Sequence, residues 1–190
     1  GNFLGIVPYL SVPDPGHFKM IGDFASIGLA FGAALGLAKA RPEKTTVLVV
    51  GGGQAGLTVA ATLGHLGVDT LVIDKLPRVG DCWRTRYHSL ALHNPTDFNH
   101  LPYMPFPPNW PVYLPKDMVA DWFEAYAMAM ELNFWTSTDF VSGTYDDASG
   151  RWSIIVRNTA NGRERRLRPK HLVFANGLVG APHVQIGRAH

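Results

Sequence analysis

Thr45-Thr46-Val47-Leu48-Val49-Val50 is a β-branched, apolar run of strand length, and it ends on Gly51-Gly52-Gly53-Gln54-Ala55-Gly56. Small and apolar residues continue from Gln54 to about Leu66, where Gly64 and Gly67 end a helix. Thr70-Leu71-Val72-Ile73 is then a second buried strand that stops at Asp74. Two short apolar strands joined by a helix make a βαβ unit, and so a parallel sheet. The glycines fit G-x-G-x-x-G. Gly51 permits the tight turn, Gly53 lets the backbone approach a pyrophosphate, and Gly56 lets helix and strand pack closely. The helix N-terminus supplies free N–H groups and partial positive charge for phosphates. Asp74 follows Gly56 by 18 residues, where a carboxylate accepts hydrogen bonds from ribose hydroxyls and disfavours a 2′-phosphate. The pattern predicts dinucleotide binding, and an acid at this position suits FAD and NAD alike.

On the C-terminal side, Arg78-Val79-Gly80-Asp81-Cys82-Trp83-Arg84 follows the acid. Gly80 would let the chain pass close to a cofactor, and Arg84 would add a charge. Trp83 is either a flat apolar wall for the cofactor or ordinary core packing. Residues 95–115 hold seven of the chain's 14 prolines, interleaved with Phe98, Tyr103, Phe106, Trp110 and Tyr113. Proline lacks an N–H and fixes φ, so the stretch is expected to be neither ladder nor helix but an ordered excursion packed on the domain. Lys116 to Leu132 is an amphipathic helix, with Val119, Trp122, Phe123, Tyr126 and Met130 on one stripe and Asp121, Glu124 and Glu131 facing away. The period then becomes two. Arg151 to Arg157 alternates, Asn161-Gly162 turns, Arg163 to Arg168 pairs back, and Leu172 to Ala175 is another buried strand. The expected fold is α/β, a Rossmann-type domain with a parallel sheet and a small antiparallel β-meander.

The 190 residues carry a formal charge of +2, with 46% hydrophobic and 17% charged residues. This excludes disorder and collagen-like repeats, and the near-neutral balance does not point to nucleic acid. The basic run Arg163 to Lys170 reads as a solvated hairpin face. The single cysteine, Cys82, excludes an internal disulfide, a multi-thiolate zinc site and a C-x-x-C pair, and reads as a small packing residue. The eight histidines show no metal-ligand spacing, and Asp146-Asp147 before Ser149-Gly150 reads as a turn. Residues 1–44 form an expected N-terminal extension with one helix at about 21–40. Its apolar part, Ile21 to Ala38, carries Gly28, Gly32 and Gly36 but is short for a membrane span, so a packed helix is the reading. A chain that opens Gly1-Asn2-Phe3 is expected to be a piece of something longer. Ile186-Gly187-Arg188-Ala189-His190 equals a translated sequencing adapter, and 186–190 are set aside as an artefact, which leaves 45–185 as the domain.

With these residues in order, the sequence resembles the flavin-dependent monooxygenases, in particular fungal flavin monooxygenase-like proteins and the plant auxin-synthesising YUCCA enzymes. GGGQAG, Asp74-Lys75, GDCWR, YHSLALHNP, LPYMPFPPNWPVY and LVFANG-x-x-G-x-P carry the resemblance across about 45–183. It implies an FAD-binding Rossmann-type domain. Gly51, Gly53, Gln54, Ala55 and Gly56 would hold the pyrophosphate and Asp74 the adenosine ribose, with Lys75 a further cofactor-binding residue. Gly80, Trp83 and Arg84 would lie along the cofactor. His93 falls where the animal enzymes place an asparagine beside the flavin; a buried histidine of no catalytic use is the other reading. Ala175 and Gly177 belong to the segment that closes over FAD, and Asn176 replaces that segment's usual threonine.

The implied reaction uses FAD and NADPH. NADPH reduces FAD, the flavin captures O₂, and the flavin hydroperoxide oxidises a small organic substrate. The second glycine box and the F-x-G-x-x-x-H signature of the family are absent from these 190 residues, so the fragment is expected not to turn over alone. A cytoplasmic enzyme without nucleic-acid or membrane partners is the expectation, its oligomeric state left open. An NAD-dependent dehydrogenase domain and a non-catalytic dinucleotide-binding module remain as alternatives.

Overall fold

A computed structural model describes residues 10–11 and 46–177. The expected helix at 21–40, most of the 1–44 extension and the 186–190 segment lie outside the described residues.

The predicted βαβ unit is present. Strand β2 (Thr46–Val50) leads through the glycine turn into helix α1 (Gln54–His65), and β3 (Asp69–Ile73) follows. Gly67, at φ 73°, turns the chain between α1 and β3. Two further strands complete a parallel sheet in the order β4-β3-β2-β8, where β4 is Phe134–Trp135 and β8 is His171–Phe174. A second sheet has the order β1-β5-β6-β7, from Leu10–Ser11, Thr138–Asp146, Arg151–Asn158 and Glu164–Leu167. Its β5, β6 and β7 form the antiparallel meander, while β1 joins parallel to β5.

Side-chain alternation along β2 explains the layering. Val47 and Val49, with Val72 of β3, face α1 and pack on Val59, Ala60 and Leu63. Leu48 and Val50, with Ile73, face the other way onto Trp152, Ile154 and Val156 of the meander. The parallel sheet is thus covered on both faces, which is why its strands read as continuous apolar runs. A third core joins α1 to helix α3 (Lys116–Ala129). Leu57 and Ala61 meet Val119, Trp122, Phe123 and Tyr126.

The proline-rich excursion packs as expected. Leu101, Phe106 and Leu114 are buried against α3, and the Tyr126 hydroxyl donates to the Pro102 carbonyl at 3.0 Å. Burial pushes that phenol up to about 12. The exclusion of all regular structure from this stretch needs correction: Thr96–Phe98 form a 3₁₀ turn, and isolated bridges join Ala91 to Pro115 and Leu101 to Met104. Three residues suffice for such a turn, and Pro95 sits before it, where no N–H is needed. Strands β1 and β5 were not expected either. Thr138–Asp146 hides its period behind a register shift between Phe140 and Ser142. The Asp146 turn and the exposed Arg163–Arg166 face are as read.

Candidate dinucleotide site

The site forms at the C-terminal ends of β2, β3 and β8. Backbone bonds close it: Gly51 N–H donates to the Ile73 carbonyl at 2.8 Å, and Ala175 N–H to the Val50 carbonyl at 2.7 Å. Gly51 has φ 106°, and a Cβ there would stand 2.6 Å from the Ala175 carbonyl oxygen. Gly56 is equally constrained: a Cβ would overlap the Gly51 carbonyl oxygen and lie 3.0 Å from its carbon. Both glycines are therefore demanded by the protein's own packing. Gly53 is not. Its φ is −80°, and among the described residues, its chain neighbours aside, the only atom within 4 Å of a Cβ there is Cys82 Sγ at 3.9 Å.

Gly53 is also the N-cap of α1, with no side-chain cap and no acidic residue in the first turn. The first helical bond runs from Leu57 N–H to the Gly53 carbonyl, which leaves the N–H groups of Gln54, Ala55 and Gly56 without helical partners. Asp74 stands over this turn. Its Oδ2 accepts from Gly52 N–H at 2.7 Å and its Oδ1 from Leu76 N–H at 2.8 Å. The carboxylate is thereby fixed at the mouth of the turn, with lone pairs left for further donors. Among the described residues no group of His, Cys, Asp and Glu could hold a metal ion.

The segment after Asp74 folds as the short helix α2 (Asp81–Arg84). Here two expectations change. Gly80 (φ 88°) is packed against α3, where a Cβ would overlap the Ala120 carbonyl oxygen and lie 2.8 Å from its carbon. Its need for glycine comes from that helix. Arg84 is turned to carboxylates: it pairs with Asp81 at 3.1 Å, Asp121 at 2.7 Å and Glu124 at 3.1 Å, and donates to the Val79 carbonyl. Arg78 joins at Glu124, holding that carboxyl below its usual range. The buried Lys116 donates to the Arg84 carbonyl at 2.9 Å. This cluster clamps α2 onto α3. Trp83 is half-buried and packs on the α3 core.

The structure brings Gly51–Gly56, Asp74, Cys82 and Ala175 together. Lys75 is exposed at the rim, Asn176 and Gly177 are exposed past β8, and Gly177 has φ 74°. His93 is exposed as well, which removes the buried-histidine reading. Sequence reasoning missed Gly52 and Phe134. A Cβ on Gly52 would overlap the Phe134 ring. The signal was available in Gly52, the middle glycine of GGG, which the motif itself does not require.

Cys82 belongs to α2, and its Sγ lies beside the glycine turn, 3.9 Å from where a Cβ on Gly53 would stand. Burial, then the Asp74 carboxylate, push its thiol up to about 11. A raised value keeps the thiol protonated, and only the thiolate is nucleophilic. At pH 7.5 iodoacetamide should therefore label Cys82 roughly a hundredfold more slowly than the urea-unfolded chain. The rate should still be climbing above pH 9. Equal labelling rates in the folded and unfolded chains would contradict the burial described.

Comparisons with known proteins agree with this geometry. Residues 49–105 match a family model described as an NAD(P)-binding Rossmann-like domain. A rice protein named indole-3-pyruvate monooxygenase YUCCA1 (Oryza sativa subsp. japonica) is 35% identical over 138 residues, 72% of this chain and 33% of its own. The chain belongs to the flavin monooxygenase family. Another relative of this family member is an uncharacterized CzcO-like oxidoreductase of Geobacillus kaustophilus, 38% identical over 138 residues, 73% of this chain and 37% of its own. The chain spans about a third of the length of the curated relatives it matches. Among solved structures, a flavin-containing monooxygenase from Stenotrophomonas maltophilia superposes with TM-score 0.59 at 22% identity, covering 70% of this chain and 38% of that one. That likeness shows the Rossmann-type fold. Among the described residues of the family member, no helix is long and apolar enough to cross a membrane.

Proposed function

We propose that residues 45–185 are the FAD-binding unit of an NADPH-dependent monooxygenase that inserts one atom of O₂ into a small organic substrate. The observation that carries this reading is Gly53. Neither its backbone conformation nor its neighbours among the described residues ask for glycine, yet a side chain there would fill the space over the N-terminus of α1. A pyrophosphate brought against that backbone accounts for it. The residues present fit the group. Gln54, Ala55 and Gly56 offer unshared N–H donors to phosphate oxygens. Asp74 offers acceptors to ribose hydroxyls and repels a 2′-phosphate. Lys75, Trp83, His93, Ala175 and Gly177 are further candidate contacts; Gly80 and Arg84 contribute by holding α2 in place.

When bound, FAD supplies the redox chemistry and, once reduced by NADPH, the activation of O₂. The chain's own part is to bind, orient and shield. The glycine turn fixes the pyrophosphate end, Asp74 sets the adenosine end, and α2 with the α3 core walls off water beside the turn. These 190 residues hold one glycine box, so the polypeptide is proposed to bind FAD without completing a turnover. A cytoplasmic location goes with this reading, since a lone cysteine forms no internal disulfide.

The purified 190-residue chain should retain FAD as a yellow protein after desalting and show no NADPH-driven O₂ uptake. A colourless protein that binds NADH would instead favour a dehydrogenase-type module. O₂ consumption by this polypeptide would overturn the assignment of turnover to a larger protein.

A further inference from the structure

We propose that Phe134 is a positioning residue for this dinucleotide site, resting on the reading above: its ring seats the glycine turn and so fixes the Asp74 carboxylate relative to the ribose. Gly52 occupies a variable position of G-x-G-x-x-G, and it is not among the glycines with positive φ. Its lack of a side chain is explained by space alone. A Cβ there would overlap Phe134 Cζ, lie 2.7 Å from Cε2 and 3.2 Å from Asp74 Oδ2. The ring thus lies directly on the turn. Gly52 N–H, in turn, donates to Asp74 Oδ2.

Phe134 is well placed to hold this arrangement. It is half of the two-residue strand β4, which pairs with β3 through Val72↔Phe134 and Ile73↔Trp135. The Trp135 carbonyl accepts the N–H of Asp74 itself at 3.0 Å, and the Asn133 carbonyl that of Val72 at 2.9 Å. The ring packs against both the α1 and the α3 cores, so it cannot yield without disturbing either. Backbone from β4 fixes the start of the Asp74 residue, and the Phe134 ring fixes the Gly52 donor that its carboxylate grips. Moving the ring frees the turn, and the carboxylate moves with it.

The test compares ADP-ribose with its 2′-phosphate by calorimetry on the full chain. Wild type should prefer ADP-ribose by about tenfold or more, since the Asp74 carboxylate repels the added phosphate. Phe134→Ala should shrink that preference at least about fivefold, while Phe134→Leu, which keeps most of the bulk, retains most of it. Gly52→Ala should lose ADP-ribose binding. The double variant Gly52→Ala/Phe134→Ala should recover it to the level of Phe134→Ala, because the methyl then has the ring's space. Should Phe134→Ala not fold, Phe134→Leu and the double variant carry the comparison. A lowered melting temperature with an unchanged ligand preference, or a double variant no better than Gly52→Ala, would overturn the proposal and leave Phe134 as packing. Wild type that binds neither ligand would overturn the dinucleotide reading itself.

Discussion

Gly56→Val should fail to give a folded protein, or give one destabilised by about 3 kcal/mol or more, at the upper end of overpacking effects. The cause is local and has no easy relief. A Cβ on Gly56 meets the Gly51 carbonyl group, which is backbone and not the end of a flexible side chain. Gly51 is itself tied by its N–H to the Ile73 carbonyl and hemmed by Ala175. To admit the extra carbons, α1 must lift from β2, and Leu57, Val59, Ala60, Ala61 and Leu63, which serve two cores, lift with it. Domains of this size have only about 5–15 kcal/mol to lose. Urea unfolding followed by circular dichroism measures the loss. Gly53→Ala supplies the contrast, since among the described residues its methyl meets only Cys82 Sγ, at van der Waals distance. It should fold with wild-type stability within about 1 kcal/mol, as open-site substitutions do, while weakening FAD retention. A Gly56→Val chain as stable as wild type would show that the helix and strand are not packed as described.

The contrast between these two glycines also shows what the sequence could and could not reveal. The motif predicts a turn, a helix and an acid, and all three fall in place because each is a local requirement: backbone conformation, close packing, and a carboxylate at a strand end. Val47 to Val50 and Val72 to Ile73 were legible as buried strands because both faces of the sheet are covered, so no polar residue interrupts them. What escaped depends on partners far along the chain. Gly80 reads as one more cofactor glycine until Ala120, forty residues on, occupies the space beside it. Arg84 reads as a free charge until Asp121 and Glu124 arrive from α3. Strand β5 carries Asp139, Ser142 and Gly143 with a register shift, so its alternation is broken in one dimension and restored only by pairing with β6. Phe134 has no motif at all, because its role lies in contact with Gly52, 82 positions earlier.

Asp74→Ala should lower affinity for ADP-ribose by about 10- to 100-fold, the range for losing hydrogen bonds to a charged acceptor. It should also destabilise the chain by about 1 kcal/mol, because the two backbone donors left behind are only partly buried and water can reach them. Asp74→Asn separates the two roles of the carboxylate. An amide has one acceptor oxygen, whereas Gly52 and Leu76 both present N–H donors, one to each carboxylate oxygen. Whichever way the amide turns, its NH₂ faces one of those donors. Asp74→Asn is therefore expected to rescue neither binding nor stability, despite its near-identical shape. It should also bind ADP-ribose 2′-phosphate no worse than ADP-ribose, since the repelling charge is gone. Calorimetry with both ligands and urea unfolding of the three proteins measure these effects. Wild-type affinity in Asp74→Asn would mean that the carboxylate serves the turn alone and that the ribose is read elsewhere.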